Sequence, residues 1–370
     1  MRYRLSRYED ACQDFELARE AAHQLGDLES EVEILLDEAT ALDWADEYRR
    51  SKELVEQADL MARDHQSPLI EARILMGLGR SCVRFNSYER AAELYNLAAD
   101  KAEQLGDAAY ETYVISLLHN GYVLASLGRL DESESAFNRV IPLCEQRGDK
   151  LHLGAAVGNR FMLWTCRNEE DKLLADLHRL LQICREMGNG RMEQQAHFYL
   201  GLFLRWLNEL GEAEKHARRA MEIDKTRLGE AARAESALLL ARVLAAANNA
   251  KGARDILDQI QARRALAQER KDKEFELLPG EEIFFSMVDL ATREASENEW
   301  ELLQARALKC LTGQDLLEFL EMRGRAAQRR QARDAAVRAF KVAVALAAEV
   351  PNVMLKRLEG ELAAMTNAAS

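Results

Sequence analysis

The chain has 370 residues, and its 63 acidic and 50 basic side chains give a formal net charge of -13. A surface with this average charge repels polyanions, so the composition excludes a general nucleic-acid binder and favours a basic partner. With only four prolines and abundant Ala, Leu, Glu and Arg, helix is the only secondary structure that the sequence supports.

The predicted helices recur with a period of about 40 residues. The segments Tyr8–Phe15 and Tyr88–Tyr95 share a pattern of aromatic, small and polar residues and lie 80 residues apart, with Tyr48 midway between them. We interpret each of these tyrosines as an anchor, the first residue of the second helix of a hairpin. The same register predicts further anchors at Leu130, Glu170, Leu210 and Ala250.

Small residues mark where the two helices of a hairpin pack together. In first helices a small residue lies nine positions before an anchor, at Gly79, Gly121, Gly201 and Ala241. Second helices carry alanine three positions after an anchor, at Ala91, Ala213 and Ala253. Two helices approach closely only where side chains are this small, so these positions predict the helix contact. Glycine, which adopts the left-handed conformation readily, predicts the ends of second helices at Gly26, Gly106, Gly148, Gly188 and Gly229.

The period breaks after Ala250. The next anchor is Trp300, 50 residues on, and the last lies near Arg333, 33 residues further. The residues beyond the 40-residue period fall within 263–280, which we interpret as an extended helix or loop. The sequence therefore predicts a regular array over 1–262, an irregular insertion or linker over 263–280, and two less regular hairpins over 281–370, closed by a capping helix near 352–364.

The array begins in the middle of a hairpin, because only residues 1–7 precede the first predicted second helix. A solenoid rarely exposes half a hairpin at its end. We therefore expect either a piece of a longer protein or a shortened N-terminus, and any missing part could hold an activity.

The Leu-Gly pairs, the aromatic residue before the second helix and the Ala-x-x-x-aromatic-x-x-Ala pattern resemble the tetratricopeptide repeat over nearly the whole chain. The 40-residue period is similar to the long variety in kinesin light chains, Leu-Gly-Asn-repeat adaptors and the sensor arms of large bacterial signalling ATPases. The resemblance implies an all-α fold: a right-handed superhelical α-solenoid of eight to nine antiparallel helical hairpins with a C-terminal capping helix.

The same resemblance implies that first helices line a concave groove, where a partner would bind. In the third hairpin, Leu75, Leu78, Gly79 and Cys82 are interpreted as the buried stripe, and the neighbouring stripe faces the groove. The predicted groove residues, in chain order, are Arg73, Met76, Arg80, Arg84, Leu118, Tyr122, Ser126, Asn159, Gln195, Phe198, Arg205, Glu235 and Arg242. Arginine and amide groups mixed with aromatic rings suit an extended peptide or a helix that bears carboxylates. Solvated helix faces are the alternative interpretation.

A second basic feature lies near the C-terminus. Arginines cluster in the last hairpin of an otherwise acidic chain, at Arg323, Arg325, Arg329, Arg330 and Arg333. The cluster is either a solvated face or a local site for an acidic peptide, another subunit, RNA or anionic lipid.

Sequence motifs typical of catalytic, phosphate-binding or metal sites are lacking. The sequence contains no GxxxxGK[ST], GxGxxG or GxSxG segment, and its seven histidines show neither HExxH nor paired i, i+4 spacing. We therefore expect no cofactor, no metal and no enzymatic activity. The six cysteines, widely spaced and without a CxxC pair, are interpreted as reduced core thiols of a cytoplasmic protein.

Three functional hypotheses remain. The first is a non-catalytic scaffold that binds a protein or peptide partner, as the regulatory arm of a larger bacterial signalling protein whose other domains are also candidate partners. The second is a peptide or small-ligand sensor whose superhelix changes shape on binding, as in bacterial repeat-containing activators and peptide-pheromone sensors. The third is an enzyme hidden in the helices. Neither a nucleic acid nor a membrane is an expected partner, and the oligomeric state is left open.

Overall fold

The computed structural model describes residues 8–44, 47–63, 67–85, 87–228, 234–269, 277–293, 295–349 and 352–367. Within these ranges every regular element is a helix, which confirms the all-α prediction. The second helices of the hairpins are α1 (Tyr8–Leu25), α3 (Tyr48–Ala62), α5 (Tyr88–Leu105), α7 (Leu130–Arg147), α10 (Glu170–Met187), α12 (Leu210–Leu228), α14 (Ala250–Glu269), α16 (Glu297–Cys310) and α18 (Arg333–Glu349).

The first helices alternate with them along the chain. They are α2 (Leu28–Trp44), α4 (Pro68–Arg84), α6 (Tyr110–Ser126), α8 (Lys150–Asn159) with α9 (Phe161–Arg167), α11 (Gly190–Leu207), α13 (Glu235–Ala246), α15 (Pro279–Thr292) and α17 (Gly313–Arg329), followed by the terminal α19 (Leu355–Asn367). The helix that closes the array therefore begins three residues later than the predicted 352 and packs on α18.

The predicted anchors coincide with helix starts. The six regular anchors from Tyr48 to Ala250 are the first residues of second helices, Arg333 begins α18, and Tyr8 is the first residue that the structure describes in α1. The eighth prediction, Trp300, lies three residues inside α16, because Ser296 caps that helix. The Ser296 hydroxyl accepts a bond from the Glu299 N–H, and the Glu299 carboxylate accepts one from the Ser296 N–H at 2.8 Å. This reciprocal pair is a capping box, and it sets the start of the helix.

The predicted glycine turns are also present. Gly26, Gly106, Gly148 and Gly188 all have φ between 62° and 66°, whereas Gly229 lies outside the described residues. The sequence interpretation missed a second series, which ends first helices at Gly128, Asn168, Asn208 and Asn248, each with positive φ. These residues are 40 positions apart, and asparagine is the side-chain-bearing residue that best tolerates this conformation.

The irregular segment is helical at both of its ends. Residues 263–269 form the last turns of α14, and Pro279 and Gly280 begin α15. Residues 270–276 of the predicted insertion lie outside the described part of the chain. The proposed division at 263–280 therefore stays a prediction.

Two compact units make up the chain. Unit 1 comprises Met1–Arg167 with Glu186–Asn189, and unit 2 comprises Asn168–Arg185 with Gly190–Ser370. Within each unit, successive helices pack as antiparallel hairpins, for example α4 with α5 in unit 1 and α11 with α12 in unit 2.

A glycine beneath an aromatic ring joins the helices in several hairpins. A Cβ at Gly79 would lie 2.9 Å from the Tyr95 ring, and a Cβ at Gly121 would lie 2.8 Å from the Phe137 ring. Tyr95 and Phe137 are fully buried. The aromatic residue follows its glycine by 16 positions in both pairs, so the contact is a repeated feature of the fold.

We predict that Gly121→Ala lowers the free energy of unfolding by about 1–3 kcal/mol, because the added methyl overpacks a buried ring. Gly211→Ala is the matched control, since no atom lies within 4 Å of its Cβ position. Alanine is the better helix former by about 1 kcal/mol, so the control keeps or raises stability. Urea unfolding measures both variants, and equal effects would contradict the packing argument.

Candidate binding surface

First helices form a continuous layer within each unit. In unit 1, α4 packs against α2 and α6, and α6 packs against α8 and α9. In unit 2, α13 packs against α11 and α15, and α15 packs against α17. The groove residues predicted from the sequence lie on these helices, so the solvent side of each layer is the candidate binding surface.

The three arginines predicted to bind a partner on α4 are engaged with α2. Arg73 forms ion pairs with Glu33 at 3.4 Å and Asp37 at 2.6 Å. Arg80 is buried and donates to the Thr40 hydroxyl at 2.9 Å. These bonds connect residues 36 to 40 positions apart, about one repeat, so the side chains join neighbouring hairpins.

Arg84 is the most open of the three. Its Nη2 lies 3.6 Å from an Asp43 carboxylate oxygen, and its guanidinium stacks 4.1 Å from the centre of the Tyr48 ring. The Arg84 side chain nevertheless keeps 40% of its surface exposed. It is therefore the α4 arginine that a partner can reach without displacing a buried group.

Two predicted groove residues belong to the core instead. Met76 packs among Ala91, Ala92 and Tyr95, and Leu118 is 2% exposed. Leu75, which was assigned to the buried stripe, is partly buried and packs against the same cluster as Met76. The groove prediction was wrong for Met76 and Leu118 because a first helix is contacted by its own hairpin and by both neighbours, so more than one stripe is buried.

The remaining unit-1 candidates lie on the layer with partial exposure. Ser126 is exposed at the end of α6, and Tyr122 is half-buried one turn before it. Burial raises the pKa of the Tyr122 phenol, which lies within electrostatic reach of Arg84 on α4 and Cys166 on α9. Asn159 is half-buried at the end of α8. We call Arg84, Tyr122, Ser126 and Asn159 the unit-1 face.

In unit 2 the candidates have diverse environments. Gln195 and Glu235 are exposed near the starts of α11 and α13. Phe198 is buried and meets the ring of Tyr199 edge to face at 5.7 Å. The last two candidates, Arg205 and Arg242, are buried charges whose partners lie far along the chain.

Arg205 and Arg242 meet two glutamates of α17. Arg242 holds Glu318 with two hydrogen bonds, from Nε at 3.0 Å and from Nη2 at 2.6 Å. Arg205 donates to Glu321 at 3.2 Å. Both glutamate side chains are fully buried, as is Arg205. We call these four residues, with Trp206 and Arg357, the clasp.

Trp206 and Arg357 complete the clasp from α11 and α19. The Trp206 indole donates to Glu318 at 3.0 Å. Arg357 donates to Glu321 from Nε at 2.9 Å and from Nη2 at 3.1 Å, and it also bonds the Trp206 carbonyl oxygen. Three helices, α11, α13 and α19, therefore converge on two carboxylates of α17.

The electrostatics of the clasp favour its charged form. Burial alone would raise the pKa of Glu318, but the charges of Arg242 and Arg205, with hydrogen bonds from Arg242 and Trp206, lower it to about 2. Removing one partner of such a buried pair costs about 3–5 kcal/mol, because the other charge is left uncompensated.

The C-terminal arginines also bond groups of their own chain. Arg323 bonds Glu297 and Gln304, Arg325 bonds Glu321 and Asn208, and Arg329 bonds Asn248 and the Ala291 carbonyl oxygen. Arg330 pairs with Glu297 and bonds the Ala295 carbonyl oxygen, and Arg333 bonds the Met365 carbonyl oxygen. The predicted basic patch is thus a set of internal links, and any partner would have to break them.

We predict that Arg330→Glu destabilises unit 2 by about 1–3 kcal/mol, because it places a carboxylate against Glu297 and a carbonyl oxygen. Arg338→Glu is the control, because Arg338 is exposed on α18. Its effect should stay within about 0.5 kcal/mol. Hydrogen exchange across α16–α18 measures both, and equal protection in the two variants would contradict the internal role.

A histidine pair joins α11 to α12. The Nδ1 atoms of His197 and His216 lie 2.8 Å apart, so one ring donates and the other accepts through an unprotonated Nδ1. Burial, and then the neighbouring imidazole, lowers the pKa of His197 to about 4, and burial also lowers that of His216. A proton added to the accepting Nδ1 would break this bond.

We predict that unit 2 loses about 1–2 kcal/mol of stability between pH 7 and pH 5 because of this pair. The unfolded chain takes up protons near pH 6.5, whereas the pKa of folded His197 is about 4 and that of folded His216 is also lowered. The contribution is therefore present above pH 6.5 and is lost as the pH falls. Denaturation at both pH values should show a smaller loss for His197→Gln/His216→Asn; an unchanged loss would contradict the assignment.

Other chemistry is limited in the ranges that the structure covers. There, no three His, Cys, Asp or Glu side chains are grouped so that they could hold a metal ion. None of the helices described is long and apolar enough to cross a membrane. The cysteines are free thiols; Cys144 and Cys184 are buried as predicted, but Cys310 is exposed.

No protein-family model matches the sequence, and no curated protein matches it. Solved structures do match. A Rap protein complexed with competence and sporulation factor has a TM-score of 0.66 at 15% identity, over 98% of both chains. A Rap conjugation gene regulator of the plasmid pLS20, in complex with the Phr* peptide, has a TM-score of 0.56 at 12% identity, over 98% of this chain and 97% of that one.

A third similar structure is a signal transduction ATPase with a tetratricopeptide repeat sensor from Pyrococcus horikoshii. Its TM-score is 0.51 at 14% identity, over 77% of this chain and 42% of that one. Identities this low establish the fold alone. The predicted resemblance is confirmed at that level: the chain has the tetratricopeptide-repeat-like helical repeat fold.

Proposed function

We propose that the chain is a non-catalytic, cytoplasmic interaction module that binds a peptide, or a helix of a partner protein, on the unit-1 face. The observation that carries the proposal is the similarity, over nearly the full length of both chains, to a Rap regulator in complex with the Phr* peptide. The similar fold of a tetratricopeptide repeat sensor in a signal transduction ATPase supports a regulatory role in signalling.

The chemistry of the unit-1 face suits an extended peptide. Arg84 offers a partly exposed guanidinium that can pair with a carboxylate. Ser126 and Asn159 offer hydroxyl and amide groups for a peptide backbone, and the Tyr122 ring offers an apolar surface. Arg205 and Arg242 in unit 2 are buried with carboxylates of the chain itself, whereas Arg84 is partly exposed beside Asp43.

The test begins with a peptide display library panned on the full chain and, in parallel, on a Ser126→Arg variant that blocks the unit-1 face. We predict that the wild type enriches peptides that the variant does not. Asn138→Arg, at an exposed position on α7, is the matched control and should enrich the same peptides as the wild type. Identical enrichment by all three proteins would contradict this location.

Affinity for an enriched acidic peptide then tests the role of Arg84. We predict a loss of about tenfold or more for Arg84→Glu, because a charge-assisted hydrogen bond is replaced by repulsion. Arg90→Glu reverses a similarly exposed charge on the second helix α5 and should stay within about twofold. Calorimetric titration distinguishes the two; equal losses would indicate a general charge effect.

A sensor whose array changes shape on binding is the second candidate, and the Phr* complex of the similar regulator favours it. A sensor should change its radius of gyration in small-angle scattering when the enriched peptide is added. A rigid scaffold should keep the same value with the peptide bound.

A further inference from the structure

One stripe of α17 faces the first helices α11 and α13. Along this stripe, Asp315 and Glu318 bond Arg242, and Glu321 bonds Arg205. Further along, Arg325 donates to Asn208 and Arg329 donates to Asn248. These positions follow each other at three or four residues, which is the spacing of one helix face. Carboxylates at one end and arginines at the other therefore form a single docking surface.

The partner groups on α11 and α13 match this order of charges. Arg205 and Arg242 supply buried cations, and the left-handed turns at Asn208 and Asn248, which follow α11 and α13, supply amide oxygens as acceptors. A helix with this stripe is thus recognised by charge along its whole length. Arg205 and Arg242 are two of the residues that the sequence predicted to face a helix with carboxylates.

Long side chains make this contact, whereas the close packing of α17 lies elsewhere. Its backbone packs closely against α18, and also against α15 and α16. The bonds to α11 and α13 come from arginine, glutamate, aspartate and asparagine side chains. Buried ion pairs contribute less to stability than apolar packing of similar volume, and their best-attested role is to fix register.

We propose that the face formed by α11 and α13 is a binding surface for an acidic α-helix, and that α17 occupies it in cis. This inference rests on the proposed function. In a chain that binds partner peptides or helices, α17 covers a second binding surface and keeps partners from it. A partner helix with carboxylates three residues apart is the kind of ligand that would compete for Arg205 and Arg242.

The experiment uses the full chain and a fluorescent synthetic peptide of residues 313–330. The wild type should bind it weakly, because the cis helix occupies the face. A Glu318→Gln/Glu321→Gln chain, whose own α17 lacks both carboxylates, should bind the peptide at least tenfold more tightly in fluorescence anisotropy. The same peptide with Gln at both positions should not bind, and a chain with Arg338→Gln should behave like the wild type.

A second variant covers the case in which the buried substitutions prevent folding. Asp315→Asn/Arg325→Gln weakens the rim of the contact, including the Arg325–Glu321 pair, and keeps the bonds of Arg205 to Glu321 and of Arg242 to Glu318. It should also gain affinity for the peptide, by at least about threefold. A folded variant that binds no better than the wild type would overturn the proposal, as would tight peptide binding by the wild type itself. Neither result affects the enrichment of peptides by the unit-1 face, so each proposal can be contradicted without the other.

Discussion

The close approach of two helices at a residue without a side chain underlies each unit. Where Gly79 or Gly121 lets an aromatic ring lie against the first helix, the hairpin closes and the first helix turns its remaining sides to the neighbouring hairpins. Packing is then local and repeated, as in other solenoids. Because neighbours cover a first helix from three directions, only a narrow part of its surface is left for anything else.

Features that depend on neighbours in sequence were predictable. The 40-residue register located the second-helix starts, because the anchors, the small residues and the glycine turns recur through most of the regular array. The turns at Asn168, Asn208 and Asn248 were missed, since asparagine is also common in ordinary loops. Where a local cap sets the start of a helix, as at Ser296, the predicted start differed from the observed one by less than one turn.

The candidate surface was predictable only in part. The pattern assigned Met76 and Leu118 to the groove, although three-sided packing buries them. It found Arg205 and Arg242 but not their partners, because Glu318 and Glu321 lie 76 and 116 residues away and belong to no repeated pattern. Periodicity describes what each hairpin shares, and the long-range pairs depend on how hairpins within a unit are placed. Arginines of similar sequence context therefore have different roles: Arg73 joins adjacent hairpins, and Arg242 joins hairpins that are not adjacent.

The clasp also restricts how this protein can change over evolution. Solenoids ordinarily gain or lose hairpins with little effect, because each one contacts only its neighbours. Here Arg205 on α11 must reach Glu321 on α17, and two hairpins, α13–α14 and α15–α16, lie between the two helices along the chain. Duplicating or deleting one of them would carry α17 away from Arg205 and break the buried contacts of the clasp. Unit 2 therefore has a fixed number of hairpins, whereas the bonds of Arg73, Arg80 and Cys166 in unit 1 each span about one repeat.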